Sequence, residues 1–376
     1  MSEWQDFTFG DIAEFSYGTM PKQEKLGKGE YPTFSGYKYQ YKYPEFNCDK
    51  DDLIVVARGV GGTGDVKIVR EKCYLTNLSI KIKANNSILD NKFFYYSFAQ
   101  ETLRYLDSGS AQSQITINDL SKIVLNLPTV QEQKAIASVL SSLDDKIDLL
   151  HRQNTTLERM AETLFRQWFI EEAQEDWEEC TLDDLITVKG GTTPSTKEPS
   201  FWNGDINWTS PRDLSNQQSV FMFDTERKIT EKGLAQIGSG LLPVGTLLMS
   251  SRAPIGYLAI SDIPVAINQG YIAIVCDKSV SNYFMYLWCK VNMEQIKNAG
   301  NGSTFEEISK SNFKELSTLK PSIQAITKFD ETVEPIFAKI KTNQKQIHTL
   351  EKLRDNLLPK LMSGEVRVEH VGWAEV

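Results

Sequence analysis

The sequence predicts a mixed α/β (α+β) fold, in which two long antiparallel coiled-coil helices join two similar domains with pseudo-two-fold symmetry. Three observations support this fold. The two halves of the 376-residue chain resemble each other. Each half contains short β-type apolar runs among glycines, prolines and aromatics. Each half also ends in a long segment whose apolar residues recur at alternating intervals of four and three.

The internal duplication is the strongest signal, and such a repeat determines the whole architecture. WQDFTFGDIAEFSYGTMP, which starts at Trp4, matches WEECTLDDLITVKGGTTP, which starts at Trp177, at six positions without a gap. Two further pairs follow in the same order: LIVVARGVGG with TLLMSSRAPIG, and NTTLERMAETLF with IHTLEKLRDNLL. We therefore predict a first domain, a first helix, a second domain, a second helix and a tail over residues 1–127, 128–172, 173–320, 321–365 and 366–376.

The apolar seams of the two helices predict how the helices pair. The second seam repeats the first 193 residues later, and each carries one asparagine, Asn154 or Asn343. If the helices run antiparallel about the midpoint of the first seam, these asparagines face each other. A polar pair inside an apolar seam commonly fixes register. Pro335 should kink the second helix or mark its first turn. Two unrelated amphipathic helices are the alternative.

Composition indicates an ordinary globular protein of a reducing cytoplasm. No signal peptide or membrane-length apolar run is present, and the five cysteines never form CxxC. Three scattered histidines argue against a histidine-based metal or catalytic site. The formal charge of −9 disfavours a nucleic-acid surface. It does not exclude one, because the local field decides. We expect the acidic run EEAQEDWEE to lie away from any such surface.

Two motifs suggest enzyme chemistry, but weakly. RGVGGTG holds a G-x-G-x-x-G pattern at Gly59, Gly61 and Gly64, as in dinucleotide or S-adenosylmethionine loops. A strand-like segment follows it where a helix is needed, so we predict a tight hairpin. PRD and ERK, which contain Asp213 and Glu226, resemble an acidic nuclease site but have no counterpart in the first half. Amino-methyltransferase and Walker A motifs do not occur.

Basic and aromatic residues at matched places predict contacts with DNA. Arg58 and Arg252 each follow an apolar strand, and a guanidinium suits guanine edges or phosphates. The polar turns SGSAQSQIT and GNGSTFEEIS follow later in each half. An ordinary edge hairpin is the alternative for the lysine- and tyrosine-rich stretch of the first half. The remaining candidates are Lys22, Lys25, Lys28, Tyr37, Lys38, Tyr39, Gln112 and Gln114 in the first half, and Thr193, Lys197, Trp208, Arg212, Ser303 and Thr304 in the second.

The chain resembles the specificity subunit of type I restriction-modification systems. The resemblance rests on LPTVQEQKAIASVLSSLDDKID, TLERMAETLFRQWF and the ending LEKLRDNLLPKLMSGEVRV, and it extends over nearly the whole chain. The second copy departs from the pattern at SIQAITKF, where Gln131 has its match in Gln324 but Glu132 is replaced by Ala325. A contact made by that glutamate is therefore in doubt in one copy.

The resemblance implies a DNA-binding protein that is not itself an enzyme. Each domain would be a target recognition domain that reads, from the major groove, one half of a bipartite asymmetric site. The helices would fix the gap between the halves and dock two modification subunits, and restriction subunits could join. S-adenosylmethionine, ATP and magnesium would belong to those partners, and this chain would bind no cofactor. A coiled-coil adaptor with two protein- or sugar-binding domains is the alternative. An enzyme is a third hypothesis.

Overall fold

The structure is a computed structural model. It describes residues 4–36, 38–59, 61–99, 101–107, 113–215, 219–252, 254–300 and 307–368. The chain forms two compact units. Unit 1 comprises Met1–Ile147 and Leu350–Val376, and unit 2 comprises Asp148–Thr349. Each unit contains one mixed domain and a part of each long helix. None of the helices in the described ranges is long and apolar enough to cross a bilayer.

The described part of unit 1 contains nine strands and three short helices, and the first long helix follows them. The strands are β1 Gln5–Thr8, β2 Ala13–Tyr17, β3 Tyr31–Ser35, β4 Lys38–Tyr43, β5 Leu53–Val56, β6 Val66–Ile68, β7 Tyr74–Leu75, β8 Ser79–Ala84 and β9 Val124–Leu127. The helices are α1 Phe9–Ile12, α2 Asn91–Ser97, α3 Ile117–Ser121 and α4 Val130–Arg166, and the last continues into unit 2. Single 3-10 turns occur at Gln23–Lys25 and Leu103–Leu106.

An antiparallel sheet in the order β2-β8-β5-β6 forms the centre of unit 1. Its core includes Phe9, Leu53, Val55 and Phe94. A second sheet has the order β4-β3-β7, and β1 pairs with β9. The glycine-rich segment joins the antiparallel strands β5 and β6, which confirms a hairpin; the predicted tight turn is wrong, because nine residues, 57–65, lie between the strands. A Cβ on Gly64 would lie 2.4 Å from the backbone nitrogen of Arg104, so the close approach of two chain segments requires glycine there.

In its described part, unit 2 repeats this order of elements with one additional strand and three additional short helices. Its strands are β10 Glu178–Thr181, β11 Thr187–Gly190, β12 Trp202–Thr209, β13 Phe221–Met222, β14 Arg227–Ile229, β15 Leu247–Ser250, β16 Leu258–Ser261, β17 Ala266–Ile267, β18 Tyr271–Val275 and β19 Ser317–Lys320. Its helices are α5 Leu182–Leu185, α6 Pro211–Ser215, α7 Glu231–Leu234, α8 Asn282–Val291, α9 Met293–Asn298, α10 Lys310–Lys314 and α11 Ile323–Met362, and the last ends in unit 1. A π-helical turn at Gln167–Glu171 follows α4, and a 3-10 turn occupies Pro199–Phe201.

The sheets of unit 2 match those of unit 1 strand by strand. The order β11-β18-β15-β16 reproduces β2-β8-β5-β6, and β13 is added at the edge. The order β14-β12-β17 reproduces β4-β3-β7, with the same antiparallel and parallel partners. The pair β10–β19 reproduces β1–β9. The duplicated mixed fold predicted from the sequence is therefore confirmed.

The long helices run antiparallel where they pack within each unit. In unit 2, Trp168 packs edge-on against Phe329 with ring centroids 5.8 Å apart, and Asn343 donates from Nδ2 to Oδ1 of Asn154 at 2.9 Å. In unit 1, the guanidinium of Arg354 donates to Asp144 at 2.9 Å. The structure thus places the two seam asparagines face to face. Helix α11 runs through Pro335 without interruption, although proline has no N–H for the helix bond at that turn.

Candidate nucleic-acid interface

In unit 1, Arg58 lies just beyond β5 and is held against Gln114. The two residues form an antiparallel bridge, and the neighbouring Ile115 N–H donates to the carbonyl of Ala57 at 2.9 Å. The guanidinium of Arg58 lies over the ring of Tyr17, 5.8 Å from its centroid. Its buried Nε has no hydrogen-bond partner among the described residues. The backbone therefore fixes Arg58, and its guanidinium retains donor capacity.

In unit 2, Arg252 occupies the matching place and Glu307 stands where unit 1 has Gln114. The backbone geometry is the same: Arg252 and Glu307 form an antiparallel bridge, and the Ile308 N–H donates to the carbonyl of Ser251 at 3.0 Å. The Arg252 guanidinium lies 3.8 Å from the Glu307 carboxylate, and the two side chains are 44% and 48% exposed. An ion pair this exposed contributes about 0–1 kcal/mol, so both groups can exchange it for a ligand.

The basic stretch of unit 1 is partly neutralised within the protein. Lys22 and Lys28 are exposed, and Lys38 is exposed on β4. Lys25 pairs with Glu45, and the hydrogen bond to that carboxylate raises the pKa of Lys25. A charge already paired within the protein has less to gain from a phosphate, so the pairing with Glu45 weakens Lys25 as a candidate.

Tyr39, a candidate for contacting DNA, is half-buried and has partners within the protein. Its hydroxyl accepts a hydrogen bond from the Arg70 N–H at 3.2 Å, and its ring packs edge-on against Phe34 at 5.1 Å. Burial raises the pKa of the Tyr39 hydroxyl. The half-buried side chain therefore packs against the small core beneath the second sheet of unit 1, and part of it remains exposed.

Trp208 was predicted to contact DNA, and this prediction is wrong, because its side chain is only 4% exposed. Its ring packs edge-on against Trp202 at 5.1 Å, and its Nε1 donates to the carbonyl of Thr192 at 3.3 Å. The ring cannot reach DNA from inside this cluster. The exposed group at this place is Arg227, whose guanidinium lies 3.5 Å from the centroid of the Trp202 ring. Arg227 was not among the predicted DNA contacts, although it is the middle residue of the ERK triplet.

Some of the other candidates are described by the structure, and the rest lie outside the described ranges. Lys197 and Arg212 are exposed in unit 2, so both are accessible to DNA. Thr193 donates from its hydroxyl to Gln269 at 2.7 Å. The remaining four candidates lie outside the described residues: Tyr37, Gln112, Ser303 and Thr304.

The two motifs with weak enzyme signals have structural roles in the described part of the chain. The glycine-rich segment joins two antiparallel strands, and no helix follows it to hold a phosphate. The Asp213 carboxylate accepts from the backbone N–H of Ser210 at 2.8 Å and of Glu226 at 3.0 Å, so it closes a turn. Among the described residues, no three carboxylate, histidine or cysteine side chains group as metal ligands.

Comparisons with known proteins agree with this architecture. The family model for the type I restriction modification DNA specificity domain matches residues 1–159 and 174–352. The MjaIX specificity subunit of Methanocaldococcus jannaschii is 38% identical over 51% of this chain, which spans only 45% of that relative. The HindI specificity subunit of Haemophilus influenzae is 23% identical over 97% of this chain and 100% of the relative.

A solved structure shows the same fold. The type I restriction-modification S subunit from M. genitalium superposes with a TM-score of 0.69 at 22% identity, over 96% of each chain. The family model covers most of this chain and falls on both repeats. The chain therefore belongs to the type I restriction-modification DNA specificity family.

Proposed function

We propose that this chain is the sequence-specific DNA-binding subunit of a type I restriction-modification complex, with each unit reading one half of a bipartite site. The observation that carries the proposal is that the DNA specificity domain matches twice, over residues 1–159 and 174–352. Each match covers a complete recognition fold with an arginine fixed at the end of a central strand. Two readers in one chain suit a target made of two separate parts.

The two half-sites should differ, because the matched surfaces differ in chemistry. Unit 1 presents Arg58 beside Gln114 and Tyr17, whereas unit 2 presents Arg252 beside Glu307. At the place of Tyr17, unit 2 has Gly190, and the side chain of Lys310 occupies the space beside that glycine. Different donors and acceptors at equivalent places recognise different base edges.

The long helices supply the second part of the proposal, which is spacing and docking. Each helix passes from one unit to the other without interruption, and the Asn154–Asn343 pair fixes their register in unit 2. Leu149 and Met160 remain exposed on α4. We expect the helices to set the gap between half-sites and to dock two modification subunits. Restriction subunits could join, with S-adenosylmethionine, ATP and magnesium held by the partners. We assign no catalytic role to this chain, and we expect it in the cytoplasm.

Selection and titration with duplex DNA test this function. The chain would be co-expressed with modification subunits, and the purified complex would select sequences from a random duplex library. We expect a motif of two unlike parts with an unspecified gap. Affinity for that motif should fall about 10³- to 10⁵-fold between 50 and 200 mM salt if six to ten phosphates are contacted. Salt-insensitive binding, or the absence of any enriched motif, would favour an adaptor and contradict the proposal.

A further inference from the structure

We infer that Glu307 and Gln114 are specificity-determining residues, with the Glu307 carboxylate accepting a hydrogen bond from a cytosine amino group and the Gln114 amide reading adenine. The inference rests on the proposed function and deepens it. It concerns one position in each unit where the backbone is the same and the side chain differs.

The equivalence of the two positions is backbone geometry, independent of any sequence alignment. Each residue forms an antiparallel bridge with the arginine that follows a central strand. The next residue in each unit, Ile115 or Ile308, donates its N–H to the residue before that arginine, at 2.9 and 3.0 Å. The side chains of Gln114 and Glu307 therefore leave equivalent backbone sites beside equivalent arginines.

A carboxylate at this position disfavours contact with phosphates and favours contact with a base edge. Phosphate groups repel it, so Glu307 would weaken any surface that only tracks the backbone. Among base edges in the major groove, the cytosine N4 amino group is the donor that carboxylates commonly contact, whereas guanine presents the acceptors O6 and N7 that suit arginine. An acceptor and a guanidinium 3.8 Å apart therefore match the adjacent donor and acceptors of one C·G pair.

The pair is also free to make such contacts. The distance of 3.8 Å exceeds the 2.7–2.9 Å range of a charge-assisted hydrogen bond, and both side chains are about half exposed. Little stabilisation is lost when the two groups separate toward a ligand. In unit 1, Asp107 fixes the backbone beside the equivalent amide, because its carboxylate accepts from the Gln114 N–H at 2.8 Å. An amide has both a donor and an acceptor, as recognition of adenine N6 and N7 requires.

Two reciprocal substitutions test the inference in the complete complex. Glu307→Gln and Gln114→Glu exchange the two chemistries with almost no change in shape. Glu175→Gln is the matched control, because it removes one exposed negative charge from the acidic run that we expect to lie away from DNA. Each complex would select from a random duplex library, and methylated adenines would be mapped in DNA that it modifies. The second readout reports the same motif through a different process.

We expect Glu307→Gln to change one base in one half of the motif from cytosine toward adenine, with discrimination altered by about 5- to 150-fold. The other half should be unchanged. Gln114→Glu should produce the reverse change in the other half only, and Glu175→Gln should leave both halves as in the wild type.

An unchanged motif in the Glu307→Gln complex would overturn the inference while leaving the proposed function standing. A uniform gain in affinity for all sequences would also overturn it, because Glu307 would then only restrain Arg252 from contacting phosphate. If the wild-type complex selects no bipartite motif, the proposed function fails and the inference falls with it.

Discussion

The buried asparagine pair gives a sharp prediction, because the two side chains play opposite roles. Asn343 is 0% exposed and donates from Nδ2 to Oδ1 of Asn154 at 2.9 Å. Aspartate has the shape of asparagine but no amide donor. Asn343→Asp therefore replaces the donor with an acceptor facing an acceptor, whereas Asn154→Asp keeps the acceptor that the pair needs.

The expected loss in the free energy of unfolding follows from this geometry. Loss of the hydrogen bond costs about 1 kcal/mol. Burial of the introduced carboxyl disfavours its charged form, and a pKa raised by two units adds about 2.7 kcal/mol at neutral pH. We expect Asn343→Asp to lower the free energy of unfolding by about 3–4 kcal/mol at pH 7. Asn154→Asp should lower it by less than about 1 kcal/mol, because its half-buried carboxylate accepts from Asn343 Nδ2.

The loss of stability in Asn343→Asp should grow as the pH rises. The introduced carboxyl at position 343 has a folded pKa above its unfolded value near 4, so the folded state binds more protons between those two values. The carboxyl-burial part of the loss should vanish below about pH 4 and grow as the pH rises through the folded pKa. Urea unfolding followed by circular dichroism at pH 4.5 and 7 would measure this, with wild type at each pH as reference. Equal losses for the two variants, or a larger loss for Asn154→Asp, would refute the donor and acceptor roles.

Three further outcomes follow from particular contacts. Phe329→Ala should lower the free energy of unfolding by about 3–5 kcal/mol, since Phe329 is 0% exposed and packs against Phe165; a loss below 1 kcal/mol in urea would contradict that packing. Arg227→Gln should weaken binding of the complex to all duplexes alike and reduce the salt slope by about 1, if the guanidinium over Trp202 contacts a phosphate; a changed motif would instead indicate base reading. Burial raises the pKa of Cys276 to about 12, so native protein should resist iodoacetamide there at pH 8 and react only when unfolded, as peptide mass spectrometry would show.

The repeat and the helix pairing could be predicted because both depend on regular spacing. Similar sequence segments that occur in the same order in both halves imply equivalent strands, and the sheets of the two units agree with that inference. The facing asparagines followed from the two seams alone, since an antiparallel register leaves one partner for each position. The seam geometry depends on the backbone of a helix, which the sequence pattern specifies directly.

The site could be predicted only in part, because side-chain direction in an irregular strand does not follow from spacing. Register in β12 shifts between Trp202 and Ile206, and Asn203 has a φ of 61°. This irregularity breaks the alternation of faces, so the burial of Trp208 could not be inferred. Glu307 lies within the polar turn GNGSTFEEIS but was not singled out, because phosphates repel a carboxylate and only the folded chain places this one beside Arg252.

The continuity of the long helices has a consequence for fragments of this protein. The boundary between the repeats and the boundary between the folding units do not coincide. A fragment ending at residue 172 keeps the first repeat but lacks Leu350–Val376, so the first half of α4 loses the segment of α11 that packs on it. Asp148–Thr349, by contrast, is one uninterrupted stretch that carries both of its own helix segments. Truncations designed along the folding units, and not along the repeats, keep each helix pair intact.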